Sequence, residues 1–153
     1  MKLPRTVRYF EDFEAGQVFE LGSRTLERDE MLEFARRYDP QPFHVDEEAA
    51  RRTPYGGLIA SGWLTLAIMA RLGVDGLMSD SAGLGGPGID EVRWLKPVHA
   101  GDTLSGSATV LETKPSTSDP GRGTVRFRIE LVRDGGEPVL RLVLPLFLQR
   151  RPR

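Results

Sequence analysis

Ser61–Leu72, SGWLTLAIMARL, decides the fold. Only Thr65 and Arg71 interrupt an apolar surface that runs nearly all round the helix this spacing predicts, and Gly73 is placed as its C-cap. A helix apolar on every side has to be covered. No stretch of the chain approaches the roughly 18 apolar residues of a membrane span, so the cover is expected from the chain itself.

The residues downstream supply it. IDEVRWLKPV, DTLSGSATVLET, GTVRFRIELVRD and PVLRLVLPLFLQR read as four successive strands. They are separated by turn chemistry at His99-Ala100-Gly101-Asp102, in the Pro115–Gly123 loop and at Asp134-Gly135-Gly136. Upstream, QVFELGSRTL alternates as a first strand. ERDEMLEFARRY follows as a helix, with Met31, Leu32, Phe34, Ala35 and Tyr38 on its apolar face, acids in its first turn and arginines in its last. Pro40 disfavours a helical Asp39, and Asp46 is placed to N-cap a short helix through about Arg52. The expectation is a single α+β domain over residues 1–153, a curved antiparallel sheet wrapped around one long central apolar helix. That is the hot-dog architecture. An open curved sheet has an exposed edge, so a dimer with a continuous sheet is its natural completion.

Composition narrows the chemistry. The formal net charge of −1 carries no footprint of nucleic acid or of an anionic membrane. Lysine occurs only at Lys2, Lys96 and Lys114, and the excess of arginine reads as compositional bias before it reads as recognition. With no cysteine, disulfides, thiolate zinc sites and a cysteine nucleophile are excluded. MKLPRTVRYFEDFEAG is charged and lacks the apolar core of a secretory signal, so a cytoplasmic protein is expected.

Several motifs are decoys. GLGGPG, residues 83–88, matches the dinucleotide-binding pattern by letter but has no preceding strand or following helix, and reads as a flexible loop. Ser61 lacks the nucleophile-elbow context. Asp39, His44 and Asp46 could be drawn as metal ligands, but capping accounts for Asp46 and the chain has only two histidines.

The chemistry-bearing stretch is Tyr38–Trp63, YDPQPFHVDEEAARRTPYGGLIASGW. Pro40 and Pro42 stiffen a short loop expected to carry both Asp39 and His44, so that an acid and a near-neutral base can point at one small volume. By itself the pair reads more simply as a helix stop and a polar filler. Gly62 changes the weighing. It opens the buried helix, where amides lack intrahelical acceptors and the dipole favours negative charge. Acid, base and amide together suit proton transfer beside a thioester carbonyl.

F-A-x-x-x-D-P-Q-P-F-H-V-D followed by P-Y-G-G-L-I-A-S-G resembles the MaoC-like dehydratases, which include the (R)-specific enoyl-CoA hydratases. The likeness runs from about Glu14 to Leu148. The family pattern, G/D-D-x-N-P-x-H-x-D and then I-x-H-G, falls on Asp39, Pro42, His44, Asp46 and Gly62 with its spacing kept. The resemblance implies a hot-dog fold and reversible syn hydration of a 2-enoyl thioester. Asp39 and His44 would hold one water and the Gly62 amide would stabilise the oxyanion. It implies no metal or redox cofactor, coenzyme A arriving as part of the substrate, and a homodimer or a larger assembly of dimers.

The sequence also departs from that pattern. Gln41 stands where Asn is usual, Ser61 where His is common and Trp63 where Met is frequent. Ala70 stands where some hydratases carry a Ser that contacts the dyad. Tyr55, Ser61, Trp63 and Met69 are the candidates for contacting the acyl substrate. Arg93 and Lys96 are candidate phosphate contacts, against a plainer reading as solvated charge. A thioesterase, or a non-catalytic acyl- or partner-binding protein on the same fold, are the rival readings. The basic tail from Gln149 to Arg153 is expected to fray.

Overall fold

The alternating and periodic runs fold close to where they are read. The computed structural model describes residues 6–153, so the first part of the charged N-terminal run lies outside the described residues. A 3-10 turn at Phe10–Asp12 precedes strand β1 (Val18–Thr25). Helix α1 (Arg28–Tyr38), two short helices α2 (Pro42–Val45) and α3 (Glu47–Arg51), and the long helix α4 (Gly62–Gly76) come next. Strands β2 (Glu91–Trp94), β3 (Thr103–Pro115), β4 (Arg122–Arg133) and β5 (Glu137–Gln149) complete the chain. The five strands form one antiparallel sheet in the order β1-β3-β4-β5-β2. Register shifts between Glu20 and Gly22, Val110 and Glu112, and Leu131 and Val132 are the irregularities that bend a sheet toward a helix on one face.

Side chains of α4 enter that concave face. Leu64, Ile68, Met69 and Leu72 are buried with Leu21 of β1, Leu104, Ala108 and Val110 of β3, Phe127 and Leu131 of β4, and Leu140 and Leu142 of β5. Each of the four α4 side chains so buried contributes about 1.5–3 kcal/mol, comparable in sum with the whole net stability of a domain. The wrapping is one-sided, however. Trp63, Ala67, Ala70 and Val74 recur on one stripe of α4 and are exposed, Trp63 at 61% and Val74 at 50%. This corrects the expectation that the chain alone covers its helix. Among the described residues Trp94 meets Trp63 at one end of that stripe, and the rest of it stays exposed.

Four further expectations change. α4 continues past Gly73 to Gly76, helped by the Arg71–Asp75 pair one turn apart, and its last amide bond is Leu77 N–H to the Gly73 carbonyl. Gly76 is the glycine packing requires: a Cβ there would lie 2.6 Å from Leu21 Cα. Tyr38, placed on the buried face of α1, is exposed at its end. GLGGPG is not a free loop, since Leu84 N–H donates to the Phe147 carbonyl and Phe147 N–H to the Gly85 carbonyl, laying the segment along β5. The tail is held as well. Arg150 meets Glu11, Arg151 meets Asp12, and the Arg151 N–H donates to the Glu11 carboxylate, which holds that carboxyl below its ordinary value. No helix among the described residues is long and apolar enough to cross a membrane.

The contrast between the two glycines is measurable by chemical denaturation. Gly76→Val should destabilise the fold by about 1–3 kcal/mol because its Cβ meets backbone. Gly73→Ala, with nothing within 4 Å of the added methyl, should stabilise it by about 0.5–1 kcal/mol. Equal effects at the two positions would refute this account of the helix end.

Candidate functional site

Asp39 and His44 reach one place because α1 stops and α2 starts within a few residues. The Asp39 N–H still bonds the Ala35 carbonyl as the last amide of α1, and its backbone then leaves the helical region. Pro42 takes the first position of α2, where its missing N–H costs nothing. His44 therefore stands on a helical turn rather than in the loop expected from the two prolines, which is a correction. Asp46 turns its carboxylate to the Ala49 N–H as the cap of α3 and is engaged there.

His44 is 4% exposed. Its Nδ1 lies 2.7 Å from the carbonyl oxygen of Ile59, a group that only accepts, so Nδ1 carries a hydrogen in every protonation state. In the neutral ring Nε2 is then the lone-pair nitrogen. It faces Asp39 Oδ2 at 3.3 Å. Asp39 in turn receives Ser61 Oγ–H on Oδ2 and the Gln41 Nε2 amide on Oδ1, each at 2.7 Å. Burial opposes the charged carboxylate, but the bonds from Ser61 and Gln41 and the nearness of His44 outweigh it, and the Asp39 carboxyl titrates below its ordinary value. The pair is thus a carboxylate and an imidazole nitrogen that both accept in the neutral-ring state and stand too close to be independent.

The first turn of α4 lies beside them. Ser61 caps it, and three amides are satisfied by that one residue: Trp63 N–H by the hydroxyl, Leu64 and Thr65 N–H by the carbonyl. No hydrogen-bond acceptor meets the Gly62 N–H among the described residues. The absent side chain at Gly62 has a further cause. A Cβ would sit 2.6 Å from Nε1 of Trp94, whose indole donates to the Gly62 carbonyl.

Asp39, His44 and Gly62 line one cleft of about 420 Å³ with Gln41, Phe43, Tyr55, Trp63, Thr65, Trp94 and Lys96. Tyr55 packs on Phe43, and Trp63 meets Trp94 edge to face at 5.7 Å. Two residues expected at the substrate are placed otherwise. Ser61 is fully buried with its hydroxyl engaged by Asp39 and the Trp63 amide, so it is not a wall of the cleft. Met69 lines a separate apolar cavity of about 170 Å³ between α4 and the sheet, together with Ala70. Ala70 does not line the cleft of the dyad, and the side-chain hydroxyl that meets Asp39 is that of Ser61. Arg93 pairs with Glu91, whereas Lys96 reaches the cleft.

Phe43, Thr65 and Trp94 were not picked out from sequence as site residues. Thr65 left a signal, as a polar interruption of an apolar helix. Phe43 and Trp94 left none, because an aromatic on a helical turn or a strand reads as core.

Comparison with known proteins agrees with this architecture. Residues 12–130 match the family model described as a MaoC like domain. The chain is 36% identical over 116 residues to the uncharacterized protein YdeM of Bacillus subtilis, covering 75% of this chain and 82% of that protein. It is 32% identical over 114 residues to the (R)-specific enoyl-CoA hydratase of Rhodospirillum rubrum, covering 71% and 74% of the two. The crystal structure of a MaoC-like dehydratase from the same organism superposes with a TM-score of 0.87 at 39% identity, over 95% of this chain and 99% of that one. The chain belongs to the MaoC-like dehydratase family, built on the hot-dog fold.

Proposed function

We propose that this protein is a hydro-lyase that adds water reversibly to a 2-enoyl thioester, giving the 3-hydroxyacyl thioester, with an acyl-CoA as the substrate class. The observation that carries the reading is the facing of His44 Nε2 and Asp39 Oδ2 at 3.3 Å with the unpartnered Gly62 amide in the same cleft. Two acceptors this close suit a proton donor bonded to both, and a water set beside the pair on the cleft side offers two O–H groups, one for each. As the water oxygen attacks the β-carbon, His44 Nε2 takes one of its protons. That proton crosses to Asp39 and is delivered to the α-carbon, so each turnover returns both groups to their starting state. Charge gathered on the thioester oxygen during attack is stabilised by Gly62 N–H and the positive end of α4. Addition of water moves protons but no net electrons, so no redox group has a step to serve. Coenzyme A enters as part of the substrate.

Substrate contacts follow from the walls. Tyr55 and Trp63 line the cleft together with the dyad, and the exposed Lys96 adds a cation to its wall. Met69 belongs to the apolar cavity farther along α4, where an acyl tail has a lining almost free of polar groups. A second copy of the chain completes the molecule. β2 is an edge strand, and the exposed Trp63, Ala67, Ala70 and Val74 stripe of α4 is the apolar surface a partner would cover.

Asp39→Asn and His44→Gln should each lower hydration of the best enoyl-CoA by at least about a hundredfold, followed by loss of ultraviolet enoyl absorbance. Folded variants with wild-type turnover would refute the dyad. A thiol reagent in the same assay should detect no free CoA, and its stoichiometric release would point to thioester hydrolysis instead. For the assembly, sedimentation should show a dimer in the wild type and a monomer in Ala70→Glu. A monomeric wild type at micromolar concentration would rule out the partner surface.

A further inference from the structure

Ser61 touches both halves of the site and faces neither solvent nor cleft. It is fully buried. Its hydroxyl has one hydrogen to give, and gives it to Asp39 Oδ2 at 2.7 Å, the same oxygen that faces His44 Nε2. Its lone pair takes the Trp63 N–H at 3.3 Å, and its carbonyl takes those of Leu64 and Thr65. An N-cap serine ordinarily performs only the second task. Here the capping hydroxyl also pins a carboxylate carried by another helix, 22 residues earlier in the chain.

We infer that Ser61 is the positioning residue that couples the acid to the oxyanion-binding end of α4, orienting Asp39 toward His44 and leaving Gly62 N–H as the single open amide of the first turn. The inference rests on the hydro-lyase reading for its kinetic consequence but not for its physical one. With the hydroxyl absent, Asp39 keeps only the exposed Gln41 as a neutral donor, on the other oxygen. Oδ2 is then free to turn from His44, and Trp63 N–H becomes a second, misplaced donor beside Gly62. The titratable groups that share the cleft with this carboxylate are His44 on α2, Tyr55 after α3 and Lys96 after β2. Of these His44 faces the same oxygen, at 3.3 Å, and its Nε2 donates there only when the ring is protonated, whereas the Ser61 hydroxyl donates in either state.

The test is Ser61→Ala, with Ser61→Thr as the conservative variant, in the full chain. Carbon NMR of the Asp39 carboxyl in the Ala variant should show titration moved up toward the ordinary carboxylate range. The enoyl-CoA assay should show kcat about tenfold lower with KM within about twofold, as expected for loss of one hydrogen bond to a charged group. Ser61→Thr should restore both. An Asp39 titration unmoved in folded Ser61→Ala overturns the coupling. So does a Thr variant that is folded, keeps the hydroxyl bond and stays as slow as Ala. If the wild type hydrates no enoyl thioester while Asp39 still moves, the hydro-lyase reading falls and the coupling stands; turnover with an unmoved Asp39 means the reverse. Should the Ala variant not fold, the wild type decides: the Ser61 hydroxyl proton should shift with the same pH midpoint as the Asp39 carboxyl, and independent midpoints overturn the inference.

Discussion

Burial of α4 against the concave face of the sheet is the constraint from which the rest of the structure follows. Leu64, Ile68, Met69 and Leu72 have no other apolar surface of comparable extent to meet, and the strands that receive them have no other core. Because the helix is held along its length, its first turn is held too. That turn stands beside the C-terminus of α1 and the single turn of α2, which is where Asp39 and His44 lie. A cleft of modest size therefore forms at a helix N-terminus whose position is fixed by hydrophobic packing rather than by the polar groups around it.

The polar groups add direction to that position. His44 is oriented by a backbone carbonyl, so its reactive nitrogen is decided by Ile59. Asp39 is oriented by Ser61 and Gln41, one on each oxygen. Its low-titrating carboxyl also links the site to stability. The bonds that favour the carboxylate stabilise the fold above the unfolded carboxyl's titration range, and that contribution is lost as pH falls through the folded one.

Much of this was legible before any fold was drawn. Acids early and arginines late in α1, Asp46 at the cap of α3, alternation in β1 and the strand-like runs of β3, β4 and β5 reflect short-range rules that a sequence displays directly. The misreadings have a common cause. Gly73 as a stop, a fraying tail, a free GLGGPG loop and a loop-borne His44 each assumed that local chemistry acts alone. Arg71–Asp75, Arg150–Glu11, the bonds of residues 84 and 85 to Phe147 and the turn started by Pro42 are what prevailed. Ser61 shows the same limit at the site. As a departure from the family pattern it looked like a lost histidine, and its role as Asp39's partner depends on a contact 22 residues away.

What the sequence by itself determined is the class of the fold and the inventory of the chemistry: one apolar helix, five strand runs, and an acid, a base and a glycine at family spacing. These are matters of periodicity and residue type, which are read along the chain. Only the tertiary structure decided which oxygen of Asp39 meets His44, which amide of α4 stays open, that Trp94 occupies the space above Gly62, and that Met69 belongs to a different cavity. Such facts depend on distances of a few ångströms between segments that packing brings together, and no residue type carries that information alone.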